Sequence, residues 1–364
     1  MKNKSLKAIG LMSGTSMDGI DVALIESDGF FLKKEDKSLF YPYLPIFKAK
    51  LRRLISNPSL ESYLSIEVAK ELTQFHIEAV QNFLKKYNIK SKEVDLIGFH
   101  GHTILHNPDK KITWQIGDPD LLQKETNIKV VSDLRNIDIQ KGGQGAPLAP
   151  IYHHALLKEY FNDEVIFMNI GGVCNITYVT QGENNLIAGD ICFGNAPMDD
   201  LIHKNTGKNF DYNGNIAKKG KVNLQLLEEF LELDFFQQKF PKSIDRNEFD
   251  FYLKKINNLS LEDALATLID IMAQSLERSL QFLPTRPKNI IIAGGGANNN
   301  FLIERIKEVT NLQILNPKDF NINIDFVEAE LFGFLAIRHV YDLPFSFAKT
   351  TGCSTIYQKN KQPH

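Results

Sequence analysis

Cysteine is scarce in this chain: Cys174, Cys192 and Cys353 are the only three in 364 residues. An odd number without paired spacing excludes a disulfide framework and a cysteine-ligated zinc site, and suits a reducing compartment. An excess of one charge is also missing. Lys and Arg number 42 against 44 Asp and Glu, a net charge of −2, which removes any electrostatic case for nucleic acid or an anionic membrane as partner. No apolar run is long enough to span a bilayer. The N-terminal run "AIGLM" is too short for the apolar region of a secretory signal, so the cytoplasm is the expected location. Low-complexity segments are absent as well.

What remains is an ordinary globular composition, 43% hydrophobic and 24% charged, in a chain of a length that suits two lobes rather than one core. Its first marked feature is "SGTSMDG", residues 13–19, between two apolar runs. A plain hairpin needs only about two turn residues. This turn carries Ser13, Thr15, Ser16 and Asp18 between Gly14 and Gly19. Backbone N–H groups, hydroxyls and a carboxylate in so small a volume suit a phosphate and its metal ion; a decorated hairpin is the plainer alternative. The arrangement recurs in "VIFMNIGGVCNITYVT", residues 165–180, which suggests a duplicated architecture whose hairpins clamp a nucleotide's phosphates from opposite lobes.

Between these hairpins, Val68, Leu72, Phe75, Ala79 and Phe83 recur at helical spacing and predict a helix within 59–87. "VDLIGFHGHTILH" reads as a buried strand entering a glycine turn, "IKVVSDLR" as another strand, and "IQKGGQGAPLAP" as a loop at a lobe boundary. Later come a long helix over about 260–282, a buried strand with three glycines and helix-capping asparagines in "NIIIAGGGANNNFLIERI", and a helix over 326–341. Strands alternating with helices predict an α/β fold. Neither "GTSMDG" nor "GGGANN" has the Gly-Lys-Ser/Thr ending of a P-loop, and neither is a dinucleotide fingerprint.

Paired hairpins with a strand–GGG–helix element resemble the actin-like ATPase fold of sugar kinases. The ordered set "GLMSGTSMDGIDVAL", "GFHGHTILHNP", "WQIGD", "VVSDLRNIDIQKGGQGAPLAP", "MNIGGVCNITYV" and "IIAGGGANNNFL" is similar to the anhydro-N-acetylmuramic acid kinases. The resemblance implies a two-lobed, pseudo-duplicated enzyme with ATP and sugar in the interlobe cleft. Residues 1–141 with about 326–364 would form the first lobe, and 142–325 the second. It implies phosphorylation of O6 of 1,6-anhydro-N-acetylmuramic acid by Mg-ATP while water opens the ring at C1, in peptidoglycan recycling. It also implies a homodimer.

Residue by residue, the resemblance assigns Gly14, Thr15, Ser16, Met17, Asp18, Gly19, Ile20 and Asp21 to ATP binding. Asn169, Gly171 and Gly172 match the second phosphate hairpin, and Gly294, Gly295 and Gly296 the loop beside the nucleoside. Asp190 matches the catalytic base. His100, Asp133, Arg135, Asn195 and Glu328 fall on the sugar side, Arg135 as a two-pronged partner for the lactyl carboxylate. No dedicated protein metal site is expected. Magnesium would arrive with ATP, near Asp18 or Asp21, which the sequence does not rank.

The chain also departs from the family pattern. "GDICFGN" has Ile191, Cys192 and Phe193 where Thr, Gly and Pro are usual; "PKSIDRNEF" keeps only Lys242, Ser243 and Arg246 of its motif; His102 stands where glutamine is usual. These changes bear on substrate fit more than on ATP binding. They leave open a kinase for another amino sugar or carboxylic acid, or a non-catalytic ATP-binding sensor. His100, His102 and His106 suggest a metal only weakly, because period two puts just His100 and His102 on one face and no Cys or Asp completes a set. His153 and His154, at an expected helix start, carry no sharper signal.

Overall fold

The computed structural model describes residues 3–14, 16–59, 62–244 and 249–353. It divides into two compact units, Met1–Leu156 with Asp325–His364, and Leu157–Ile324. The segment 142–156, which the sequence reading assigns to the second lobe, packs with the first unit. There the Gln144 amide donates to the Thr351 carbonyl at 2.7 Å, and the Tyr152 hydroxyl to Glu330 Oε2 at 2.5 Å.

In the first unit β1 (Leu6–Ser13), β2 (Gly19–Ser27) and β3 (Leu32–Pro42) form an antiparallel meander. β4 (Leu96–Asn107) runs parallel to β1, and carries β5 (Ile112–Ile116) and the short β6 (Val130–Val131) on its far edge. The second unit repeats this plan. β7 (Val165–Ile170), β8 (Val173–Val179) and β9 (Ile187–Phe193) form the meander, and β10 (Asn289–Ala293) and β11 (Gln313–Leu315) add in parallel beside β7. The strand orders β3-β2-β1-β4-β6 and β9-β8-β7-β10-β11 correspond one to one. This is the duplicated α/β topology of the actin-like sugar-kinase fold.

Local signals explain the helices that cover these sheets. Ser62 caps Tyr63–Lys86 by accepting from the Ser65 amide, and Val68, Leu72, Ala79 and Phe83 turn its buried face to the first core. Ser260 caps Leu261–Leu280 in the second unit, with Glu262 and Asp263 favouring the positive end of the helix dipole. Asn299 caps Asn300–Thr310 through the Leu302 amide. An additional helix, Pro45–Ser56, occupies a stretch to which the sequence analysis assigns no element. Helix Val327–Val340 lies directly on the first sheet: a methyl group at Gly10 would overlap the backbone of Ala329, and one at Gly98 that of Phe332. Close backbone approach is what those two glycines provide.

One strand differs from expectation. "GFHGHTILH" does not turn at its glycine but continues as β4, with Gly101 at φ +71°. Between Leu11↔Phe99 and Ser13↔His102, β4 advances one residue more than β1. Such a bulge inverts the alternation of side chains. His100 consequently packs against Phe332 (ring centroids 4.5 Å apart, planes tilted by 41°), whereas His102 turns to Ser13, so the two do not share a face.

Candidate active site

The first unit's turn is braced from behind. Ser13 Oγ shares hydrogen bonds with Tyr43 Oη at 2.7 Å and His102 Nδ1 at 2.9 Å, all three residues being buried. Burial pushes the His102 imidazole down to about 4, so this brace is neutral at physiological pH. Met17 takes φ +56°, and its amide donates to the Gly14 carbonyl at 3.0 Å. Gly14 is half-buried and Ser16 exposed, Gly19 and Ile20 are buried at the start of β2, and Thr15 lies outside the described residues. Asp18 is exposed and pairs with Lys48 at 3.2 Å. Asp21 is different: burial, then the negative charges of Glu328, Asp325 and Asp18, push its carboxyl up to about 7.

A cation beside Asp21 would relieve both causes, so this carboxylate fits a nucleotide-borne magnesium better than Asp18, which already has an ammonium partner. Among the described residues no three His, Cys, Asp or Glu side chains group so as to hold a metal by themselves.

Arg135 is held by its neighbours. Its Nε donates to His100 Nε2 at 2.9 Å and its Nη1 to the Gly145 carbonyl at 2.8 Å. His100 Nδ1 faces the Gly101 carbonyl at 2.9 Å and must carry the hydrogen, which leaves Nε2 as the acceptor Arg135 needs. The buried Asp138 carboxylate fixes this loop from below, accepting from the Gly145 amide at 2.6 Å and the Thr351 hydroxyl at 2.8 Å. Glu328 is exposed as a residue, yet desolvation around its carboxyl raises it against the pull of Arg135. Asp133 is exposed, sits at φ +62° ahead of helix Leu134–Gln140, and accepts from Asn136 Nδ2 at 2.5 Å.

In the second unit the β7–β8 turn is built from backbone. The Gly194 amide donates to the Gly172 carbonyl at 2.8 Å and the Asn195 amide to that of Gly171 at 2.7 Å. Gly294, at φ +78°, abuts Asn169 Oδ1 and the Ile170 carbonyl, and Gly296 abuts the Ile170 side chain. Gly295 is exposed. Asn169, Asn175 and Asp190 lie directly opposite one another across β7, β8 and β9, which puts three polar side chains in one row on one face.

Asp190 is clamped at both ends. Its amide donates to the Lys242 carbonyl at 2.8 Å, and its Oδ2 accepts from the Ile244 amide at 3.0 Å. Burial pushes its carboxyl up to about 6, against the opposing effects of the Ile244 hydrogen bond and the Lys242 charge. A carboxylate that gives up its proton near neutrality and, among the described residues, keeps one oxygen free of protein N–H is suited to take a proton from water.

A family profile described as anhydro-N-acetylmuramic acid kinase matches residues 6–358. The chain belongs to this family. It is 43% identical over 353 residues to the anhydro-N-acetylmuramic acid kinase of Zymomonas mobilis subsp. mobilis, covering 95% of this chain and 96% of that one. Identity to the protein of the same name from Bradyrhizobium diazoefficiens is 39% over 355 residues, covering 95% and 96%. Among solved structures, the activator of 2-hydroxyisocaproyl-CoA dehydratase from Clostridium difficile with bound ADPNP aligns with a TM-score of 0.45 at 11% identity, over 93% of this chain and 96% of that one.

Of the three departures from the family pattern, that at residues 191–193 lies in the second core, that within 242–249 falls partly outside the described residues, and His102 belongs to the brace behind Ser13. Ile191, Cys192 and Phe193 are all buried in the second core, Phe193 edge-on to Phe230 at 5.5 Å, so the change beside Asp190 is one of packing. Arg246 lies outside the described residues. Cys174 pairs directly across from Cys192, and burial pushes the Cys192 thiol up to about 12. Three participants escaped the sequence reading. Asn175 was detectable as a polar residue at an alternating position of "VCNITYV"; the Tyr43 brace and the Ile244 clamp come from distant segments and left no local signal. No helix among the described residues is long and apolar enough to cross a membrane.

Proposed function

We propose that this chain uses ATP to convert 1,6-anhydro-N-acetylmuramic acid to N-acetylmuramic acid 6-phosphate, as a step in peptidoglycan recycling. Water adds at C1, the C1–O6 bond breaks, and the freed O6 accepts the γ-phosphoryl group while ADP leaves. Asp190 takes the proton from the attacking water. Its clamp and its carboxyl near 6 are the observation that carries this reading, because they leave it largely ionised at neutral pH yet basic enough to work. Arg135, oriented by His100, pairs with the lactyl carboxylate; Asp133, Asn195 and Glu328 meet the sugar's polar groups.

The turn of residues 14–21 and the backbone N–H groups around Asn169, Gly171 and Gly172 bind the phosphates. Gly294, Gly295 and Gly296 border the nucleoside. Magnesium, held through the nucleotide near Asp21, supplies charge neutralisation to phosphoryl transfer. A cytoplasmic location, where ATP is available, and a homodimer belong to the same proposal; light scattering of the purified protein tests the latter.

The test is ADP release with Mg-ATP and the anhydro sugar, with the product identified by mass spectrometry. A product that has gained phosphate and one water, with activity lowered roughly 10²–10⁴-fold in Asp190→Asn, is expected. Sugar-dependent turnover that survives Asp190→Asn would remove Asp190 from the mechanism. Turnover only with a different sugar would assign the site to that substrate.

A further inference from the structure

Lys242 is buried at 4% exposure, an expensive position for an ammonium group. Its Nζ donates to the Phe235 carbonyl at 3.0 Å and lies 4.3 Å from the centre of the Phe235 ring. The rings of Phe240, Phe236 and Phe282 surround it at 5.7, 5.9 and 5.9 Å. Cation–π attraction in a desolvated cage offsets part of the burial cost. A lysine needed only to fill space would be replaced at lower cost by an apolar residue of similar volume.

The neighbouring backbone shows what the anchored segment does. Gly189 lets it approach β9: an added methyl there would come 2.6 Å from the Lys242 carbonyl oxygen and 3.0 Å from its amide nitrogen. At that contact the Lys242 carbonyl and the Ile244 amide hold Asp190 by its main chain and by one carboxylate oxygen. We propose that Lys242 is a positioning residue for Asp190, its caged ammonium fixing the 242–244 segment that aims the carboxylate and placing a fixed positive charge beside it.

The other groups facing Asp190 cannot substitute for that charge. Asn175 opposite it on β8 is neutral. Cys174 on β8 and Cys192 on its own strand are buried thiols whose ionisation is pushed far above neutral pH. Helix Leu261–Leu280, packed against β9, brings the Ser275 hydroxyl to Cys192. Among the described residues Lys242 is the one charge acting on Asp190, and it favours the ionised form.

This inference rests on Asp190 being the general base, and the experiment separates the two. The full-length enzyme is compared with Lys242→Met, Lys242→Arg and Asp190→Asn in kcat/KM against pH, KM for ATP, and thermal midpoint. In Lys242→Met, kcat is expected to fall roughly tenfold and the acidic limb to move to higher pH, with KM for ATP unchanged; Lys242→Arg returns the limb towards the wild-type position. If Lys242→Met does not fold, Phe235→Leu, which removes the nearest ring, gives the same shift in smaller measure. A folded Lys242→Met with an unmoved limb overturns the proposal, whether or not its rate falls. If Asp190→Asn is as active as the wild type, it is the base assignment that fails.

Discussion

The two hairpin turns arise from the same strand plan but are made rigid in different ways. In the first unit, side chains brace the turn: Tyr43 and His102 both reach Ser13, and Lys48 reaches Asp18. In the second, backbone groups do so, with Gly171 and Gly172 bonded to Gly194 and Asn195, and Gly294 pressed against Ile170. Equivalent topology therefore fixes where a turn lies without fixing how it is stiffened. A side-chain brace is vulnerable to loss of a hydrogen bond, and a backbone brace to the gain of one methyl group.

Gly294→Ala is the most damaging way to probe the contrast. Its Cβ would stand 2.6 Å from both Asn169 Oδ1 and the Ile170 carbonyl at a φ of +78°, and about 3 kcal/mol of destabilisation is expected. Chemical denaturation measures that loss, and KM for ATP should rise on the order of tenfold. Unchanged stability would show that the backbone brace yields.

Ser13→Ala comes next. It leaves the buried Tyr43 hydroxyl and His102 Nδ1 without their shared partner, for about 1–2 kcal/mol. A double-mutant cycle with Tyr43→Phe should show non-additivity, since both changes break one bond; strict additivity would mean that the brace is not a unit.

The third probe is a pH effect at Asp21. Its carboxyl is raised from 3.8 to about 7, so the native state holds the proton more tightly than the unfolded chain does. That stabilisation is complete below about pH 4 and disappears as pH rises through 7. Asp21→Asn, which cannot ionise, should flatten this dependence: it gains stability relative to the wild type as pH rises from 4 to 8, while its KM for Mg-ATP worsens. Parallel stability curves would place the cause of the pH dependence elsewhere.

Much of this could be read from residue order. The glycine-centred hairpins, the helices within 59–87 and over about 260–282 and the capping asparagines all declare themselves within a few residues, because period and capping are local properties; Asp190, read as closing a strand, lies in the middle of β9. The sidedness of His100 and His102 was misread because one extra residue at Gly101 reverses every later side chain on the strand. Helix Pro45–Ser56 was passed over although Phe47, Leu51 and Leu54 give it a buried stripe at helical spacing. Lys242 was noticed only as a motif match. Its place beside Asp190, more than fifty positions away in sequence, depends on tertiary packing that no spacing reveals. The segment 142–156 was assigned to the wrong side of the boundary for a related reason: its partners Thr351 and Glu330 are far along the sequence from it.

The seat of helix Val327–Val340 on Gly10 and Gly98 has a consequence during synthesis. The strands leave the ribosome well before the helix that covers them, which follows Leu157–Ile324. At ~5–20 residues per second, β1 waits roughly 15–60 seconds for its cover while all of Leu157–Ile324 emerges and is free to fold. The sheet of the first unit is therefore begun before, and covered after, the whole of Leu157–Ile324 is made.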